Sequence, residues 1–456
     1  MSHLNLLKTT GILAAGMLAS NGQVLAKEAT KSIENKKPNI IFILADDLGY
    51  AEIGCNGSDK YKTPNIDKLA SDGLRFTHAY ANPLSGPSRA VLMTGRYNFR
   101  TGATNQDACS EVFSPTEKML PAYLKPAGYV STSIGKWGQL PLDPSDFGFD
   151  EYLRFFGSGV YWSSPEKIQK YRQNGADLEL KNNDYMPDLM HKQLVDFMTK
   201  NKNKPFFAYY PMTHVHGEIT KTPDSKPNTT DFYDDNITYM DKLVGELRTE
   251  LNRLKISDNT IIIFFSDNGT AGSRAEAATI GGRRLIGQKG KMEEGGSLEP
   301  LIVYWPGVTP KGKVCNDLIS STDFLQTFAE IAGAKIPTNI VLDGQSFNAQ
   351  LHGQKGTPRT SLFVQLANNY WVRSTGWKLN QSGQLFDMCN APFEEILVPV
   401  DTKNAEAISA RTSLQAEMDR LNPKGGYIDK GDGTGRHANK ELNKAKKEAK
   451  KNKSNE

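Results

Sequence analysis

Two short runs, NIIFIL at residues 39–44 and TIIIFF at residues 260–265, constrain this chain more than any other feature. Both are almost continuously apolar, with no alternation of polar and apolar positions. Such a run suits a strand buried on both faces, the habit of parallel sheets covered by helices. Each run then stops at polar residues: Ala45-Asp46-Asp47 after the first, Ser266-Asp267-Asn268-Gly269 after the second. In parallel α/β sheets, ligands gather at the carboxyl ends of the strands. Chain direction therefore predicts that both polar pairs meet at one sheet edge.

The rest of the chain extends this pattern. Residues 205–210 (PFFAYY) and 301–304 (LIVY) read as buried strands, LRFTHAYA from Leu74 as another, and residues 129–134 as one leading into Gly135-Lys136-Trp137. Helices are expected over 64–70, 88–93, 120–125, 189–198, 238–254 and 322–332. Strands alternating with helices predict the α/β class, with a large, mostly parallel (mixed) sheet sandwiched by helices. From about residue 357 the grammar changes to SLFVQLA, YWVRSTGWKLN and GQLFDM, short strands with polar turns. This predicts a small antiparallel α+β domain over 357–425, with a helix over 404–421. The basic tail, 426–456, is rich in Gly, Lys and Asn and is expected to be disordered.

Residues 1–26 read as a secretory signal: Lys8, the apolar GILAAGMLA, then Val24-Leu25-Ala26 as a small-residue cleavage site. The expectation is a bacterial protein exported to the periplasm or beyond. The apolar stretch is too short to span a bilayer, and no second long one follows, so no stable membrane insertion is expected. A net charge of +4 argues against nucleic acid as the main partner. Cys55, Cys109, Cys315 and Cys389 lack metal-site spacing.

The candidate site starts from SGPSRAVLMTGR, residues 85–96. Ser85 supplies a hydroxyl. Pro87 suits an early helical position, and Arg89 falls on the first turn. A helix start offers free N–H groups and a positive dipole end, and Arg89 adds a planar fork of donors for an oxyanion. Asp46, Asp47, Asp267 and Asn268 supply three carboxylates and an amide oxygen, a hard-oxygen set that suits Ca2+ better than Zn2+. Either pair alone reads equally as a helix or turn cap. His214 and His216 follow the strand PFFAYY. Tyr161 and Trp162, within 155–188, suit either stacking on a sugar or core packing.

The segment from Ser85 resembles the signature of the type I sulfatases of the alkaline phosphatase superfamily. There a Cys or Ser opens (C/S)-x-P-S-R and T-G-R closes it; here Ser85, Pro87, Ser88, Arg89, Thr94, Gly95 and Arg96 fit. The resemblance extends from Asn39 to about Glu395. It implies that Ser85 is oxidised by an anaerobic-type maturase to formylglycine (3-oxoalanine), whose hydrate is the nucleophile. It implies one Ca2+ bound by Asp46, Asp47, Asp267, Asn268 and the converted Ser85. Lys136 matches G-K-W-H and Lys289 matches K-G-x-x-x-E-G-G, which implies that both contact sulfate beside Arg89. The family places a catalytic His just after the PFFAYY strand, and the spacing from Pro211-Met212 favours His216.

Two positions depart from the family pattern. Gly138 stands where a His follows G-K-W, so the final release step falls to another residue or runs slowly. Leu298 stands where many members carry Arg, which implies a reshaped pocket wall. The function expected is hydrolysis of sulfate esters of a sulfated carbohydrate. Two alternatives remain: a phosphoester or phosphonate hydrolase with unmodified Ser85, and a sulfated-glycan-binding protein without turnover.

Overall fold

The buried parallel runs become the middle of a wide sheet. The computed structural model describes residues 36–111 and 117–437. The expected signal (1–26) and residues 438–456 of the tail lie outside the described residues. The strands are β1 (Asn39–Ala45), β2 (Leu74–Tyr80), β3 (Val130–Gly135), β4 (Glu151–Phe155), β5 (Lys170–Gln173), β6 (Ala176–Glu179), β7 (Phe206–Pro211) and β8 (Thr260–Ser266). They continue as β9 (Thr279–Ile280), β10 (Arg283–Arg284), β11 (Leu298–Tyr304) and β12 (Lys313–Ser320). The last are β13 (Leu362–Leu366), β14 (Asn369–Arg373), β15 (Trp377–Asn380), β16 (Leu385–Asp387) and β17 (Ile396–Leu397).

Ten strands form one mixed sheet in the order β12-β2-β11-β8-β1-β7-β3-β4-β5-β6. Its centre, β8-β1-β7-β3-β4, is parallel throughout. β11 runs antiparallel to both β8 and β2, so β2 points the same way as β8. The strands β1, β2, β3, β7 and β8 therefore end at one edge, and the loop that enters β11 lies at that same edge.

The unbroken apolar run of β1 has a direct cause. Ile41, Ile43 and Ala45 enter one core, while Ile40, Phe42 and Leu44 enter the other. The first core is closed by the helices Pro64–Asp72, Met186–Asn201 and Phe232–Arg253. The second is closed by Ser85–Thr94 and Asp323–Ala332. Phe42 meets the rings of Phe324 and Phe328 at 4.9 and 5.9 Å between centroids. Burying one such side chain contributes about 1.5–3 kcal/mol.

Some elements exceed their expected bounds. The helix expected from 238 begins at Phe232, because Asp231 caps it by accepting from the Asp234 N–H at 3.2 Å. β11 begins at Leu298 rather than 301, where Leu298 and Glu299 pair with Tyr80 and Ala79.

β13-β14-β15-β16-β17 form a second, antiparallel sheet. The helix Ala405–Leu421 packs on it through Ala407, Leu414, Met418 and Leu421. Both sheets belong to one compact unit beginning at Asn39. Residues 426–437, within the tail expected to be disordered, contact the segment that follows the Ser85 helix. The Tyr427 N–H donates to Phe99 O at 2.7 Å, Gln106 N–H to Gly435 O at 2.8 Å, and Thr104 Oγ1 to Asp429 Oδ1 at 3.1 Å. Polar side chains and backbone do this work, which an apolar-content reading misses. Among the described residues no helix is long and apolar enough to cross a membrane, and no disulfide joins the cysteines.

Candidate active site

The register of the sheet builds the site. Ala45 of β1 pairs with Ser266 of β8, so Asp46-Asp47 and Asp267-Asn268 leave the sheet side by side. Asp47 then takes a left-handed backbone, φ 68°, which Asp tolerates better than most residues. Its N–H donates to Asp267 Oδ1 at 3.2 Å, and Asn268 Nδ2 donates to Asp47 Oδ1 at 2.9 Å.

Ser85 opens its helix directly opposite. Its Oγ donates to Asn268 Oδ1 at 3.0 Å, with Asp46 Oδ1 at 3.3 Å, and accepts from Lys136 Nζ at 3.3 Å. The other residues of the segment serve the helix. Ser88 Oγ donates to Asn82 O at 2.7 Å, Thr94 Oγ1 to Ala90 O at 2.7 Å, and Gly95 closes the last turn at φ 65°. The helix start is not wholly open to an anion, because the Gly86 N–H donates to Gln106 Oε1 at 2.9 Å.

Lys136 follows β3. Gly135 lets the strands approach closely: a Cβ there would lie 2.0 Å from Pro211 O. The Lys136 N–H then donates to Pro211 O at 2.9 Å, and Nζ reaches both oxygens of Asp46 at 2.8 Å. Burial alone would raise the Asp46 carboxyl. Lys136, assisted by His216 and Arg89, outweighs it and holds Asp46 below its ordinary value. Burial in turn lowers the Lys136 ammonium, against the pull of Asp46.

Arg89 is fully buried. Its fork was expected to face sulfate; it is engaged by Asp267 Oδ2 at 2.6 and 3.0 Å and by the Lys136 carbonyl at 3.0 Å. Asp46 Oδ1 lies 3.7 Å away. Burial opposes the guanidinium charge and Asp267 more than offsets it, so Arg89 stays protonated. Lys289, on the Gly-rich loop before β11, pairs with Asp47.

His216 is the most open member, with its side chain 25% exposed and Nε2 3.9 Å from Asp47 Oδ2. Its loop is pinned beside β1 by Asp46 N–H to His214 O at 2.7 Å and Val215 N–H to Asp46 O at 2.6 Å. His214 faces the other way. It is fully buried, contacts Tyr185 OH at 3.2 Å, and burial pushes its pKa down to about 3, so it is a neutral core residue.

Tyr161 is also a packing residue: its OH donates to His216 O at 2.9 Å and its ring is buried. Trp162 Nε1 donates to Lys221 O at 2.7 Å. Leu298 does not line the acidic cluster; it packs among Tyr80, Leu318, Leu362, Val364 and Trp371, between the two sheets. Gly138 abuts Arg89. Its φ is 80°, and a Cβ there would lie 3.1 Å from Arg89 Cδ.

Three residues of the site escaped the sequence reading. Tyr209, on the strand PFFAYY, brings its OH within 3.5 Å of Arg89 Nη1. Gln106 braces Gly86. Glu299 is fully buried, and burial, with the fields of Asp267, Glu52 and Asp47, drives its carboxyl well above the usual range. None stands in a motif, and only the fold brings them near.

The cluster fits a divalent cation. Asp46, Asp47 and His216 present ligand atoms within 4.8 Å of one another. The amide oxygen of Asn268 points at the same Ser85 hydroxyl that Asp46 faces. Oxygen donors dominate, as hard cations require.

Comparison with known proteins agrees with this geometry. The family model described as Sulfatase matches residues 38–334. N-acetylgalactosamine-6-sulfatase of Canis lupus familiaris is 31% identical over 400 residues, covering 77% of this chain and 75% of that protein. Its Homo sapiens counterpart is 33% identical over 341 residues, covering 67% of this chain and 64% of its own length. The crystal structure of Ps i-CgsB in complex with k-i-k-neocarrahexaose superposes with a TM-score of 0.73 at 31% identity, covering 85% of this chain and 93% of that one. The PsFucS1 sulfatase from Pseudoalteromonas sp. gives a TM-score of 0.69 at 22% identity, covering 87% and 93%, a likeness of fold. A buried Ser85 set between two acidic strand ends, on this sheet and with these relatives, gives one assignment: the chain belongs to the sulfatase family of sulfuric ester hydrolases.

Proposed function

We propose that this protein hydrolyses sulfate esters of a sulfated carbohydrate, using formylglycine made from Ser85 and a Ca2+ held by Asp46, Asp47, Asp267 and Asn268. One observation carries the reading: Ser85 Oγ lies 3.0 Å from Asn268 and 3.3 Å from Asp46, where a nucleophile and an ion would share ligands. Formylglycine supplies a hydrated aldehyde that can shed its product by elimination, and Ca2+ supplies a Lewis acid for sulfate oxygen.

Charge supports the same reading. Asp46, Asp47 and Asp267 are balanced by Lys136, Lys289 and Arg89. A bound divalent ion would leave an excess of two positive charges, which suits the single negative charge of a sulfate ester together with the charge of the attacking oxygen. Lys136 and Lys289, which pair with Asp46 and Asp47, would hold sulfate oxygens if an ion took over those carboxylates. Arg89 keeps Asp267 and the Lys136 backbone in place. His216, at the open side, gives a proton to the departing alcohol. The sugar assignment is supported by the relatives, one named for N-acetylgalactosamine-6-sulfate chemistry and one seen with an oligosaccharide. The composition of residues 1–26 supports export, and a serine at position 85 supports an anaerobic-type maturase.

Mass spectrometry of the Ser85 peptide from the native host tests the reading. The expected result is a loss of two hydrogens at Ser85. An intact serine in protein that binds a sulfate ester without cleaving it overturns the proposal in favour of a binding protein. An intact serine with phosphatase activity above sulfatase activity overturns it in favour of a phosphohydrolase.

The role of His216 has its own signature. His216→Ala is expected to slow hydrolysis of a sugar sulfate by roughly 10²–10³-fold, within the usual range for a general acid. Hydrolysis of p-nitrophenyl sulfate, whose leaving group needs no proton, falls far less. Equal losses on both substrates remove His216 from the proton-donor role.

A further inference from the structure

The Gly-rich loop that carries Lys289 is held from two sides. On the site side, the Lys289 N–H donates to Thr270 O at 3.0 Å and the Gly290 N–H to Pro83 O at 2.7 Å. On the far side the grip comes mainly from the C-terminal sheet and its β16–β17 connection, with Tyr80 of β2 beside them. Trp371 Nε1 donates to Met292 O at 2.8 Å, and Lys378 Nζ approaches the same carbonyl at 3.4 Å. Arg373 Nη1 pairs with Glu294 Oε1 at 2.5 Å, while Tyr80 OH holds Glu294 Oε2 at 2.8 Å. The Glu294 N–H donates to Glu395 Oε1 at 3.0 Å, and Glu395 pairs with Lys378. The Ile286 N–H donates to Pro392 O at 3.0 Å.

These partners are almost sealed from water. Arg373 and Trp371 are at most 1% exposed, as is Glu294; Lys378 is 3% exposed. A buried ion pair of this kind is weak evidence for stability, since desolvation offsets much of its attraction. It is strong on geometry, because a displaced partner leaves an uncompensated buried charge. The remaining Arg373 donors are also used, Nε on Ser374 O at 3.0 Å and Nη2 on Thr375 O at 2.9 Å. The guanidinium therefore has one orientation, and so does the Glu294 it grips.

We propose that the C-terminal sheet sets sulfate affinity by fixing the Lys289 loop, with Trp371, Arg373 and Lys378 as positioning residues that never touch the substrate. This rests on Lys289 binding the sulfate group. Met292 and Glu294 are three and five residues beyond Lys289 in the chain, so movement of either carries into the lysine backbone. A long side chain placed loosely binds an anion less well than one already held in position.

The test uses the full chain with calcium and inorganic sulfate as the probe, read by titration calorimetry. Trp371→Phe keeps the ring packing and deletes one hydrogen bond; Arg373→Met deletes the buried cation. The expected result is a roughly threefold to tenfold higher Kd for sulfate with Trp371→Phe, and tenfold or more with Arg373→Met. In the Lys289→Ala background both effects disappear. On matured enzyme, the same variants raise KM for an aryl sulfate more than they lower kcat, and Arg373→Lys restores part of the loss. Should Arg373→Met not fold, the Trp371→Phe pair decides alone. If Lys289→Ala weakens sulfate binding but the C-terminal variants do not, or weaken it equally without Lys289, this inference falls and the role of Lys289 stands. If Lys289→Ala leaves sulfate binding unchanged, both fall.

Discussion

Ser85→Ala is expected to lower kcat/KM on an aryl sulfate by at least roughly four orders of magnitude, about 5.5 kcal/mol of transition-state stabilisation. The size follows from what one atom does here. Removing Oγ takes away the proposed precursor of the reacting group. The binding charges around it stay in place. Lys136 still holds both oxygens of Asp46 at 2.8 Å, and Arg89 still holds Asp267. The one polar atom left with an unmet partner is Asn268 Oδ1, which costs about 1–2 kcal/mol. The variant should therefore fold, bind inorganic sulfate and fail to turn over. Steady-state rates beside a sulfate titration check this. Equal rates for variant and parent would falsify the assignment of Ser85.

Asp267→Ala has the second largest expected effect, and it acts on two properties at once. Asp267 is buried, and its Oδ2 takes two bonds from Arg89. Its Oδ1 takes the Asp47 N–H, which sets the turn that aims the other acidic pair. Removing the carboxylate leaves a fully buried guanidinium uncompensated, at a cost of about 3–5 kcal/mol. It also removes one of the three proposed acidic ligands, so calcium content should fall together with the rate, the latter by roughly 10³-fold or more. Asp267→Asn separates the two: it keeps an acceptor for Arg89 and loses the charge, so metal should fall more than stability. Urea unfolding and elemental analysis of the same preparations measure both. Calcium retained at the parent level in Asp267→Ala excludes Asp267 as a ligand.

The sequence made the sheet edge legible because the signal there is local. An apolar run followed by Asp-Asp, and another followed by Asp-Asn, need no long-range information beyond strand direction. The register Ala45 to Ser266 does the rest. Ser85 was legible because its segment is dense with unusual neighbours. The role of Arg89 was legible only in part. The helix was expected from 88, which put Arg89 on its first turn; it begins at Ser85, so Arg89 sits one turn in, and its partner lies 178 residues away in the chain, where no local rule pairs it with Asp267. Arg373 was harder still. Within YWVRSTGWKLN it reads as one polar position in a short strand, and its partner Glu294 belongs to another motif altogether. The contacts of residues 426–437 were not legible for a different reason. Few apolar side chains anchor them, and Asp429 is held through Thr104 and Asn368. The start of the helix at Phe232 was missed because FYDDN shows no apolar stripe until the Asp231 cap is known.

If Ser85 is converted as proposed, its concealment imposes an order on biosynthesis. In the finished fold only 2% of this residue meets solvent, beneath two strand ends and a lysine loop. Any enzyme that edits the hydroxyl needs the surrounding backbone in its own cleft, and the assembled sheet leaves no room for that. The proposed conversion of Ser85 would therefore belong to the newly made chain, before its strands have closed. On that proposal, the time a nascent polypeptide spends open would decide what fraction of molecules can ever become active.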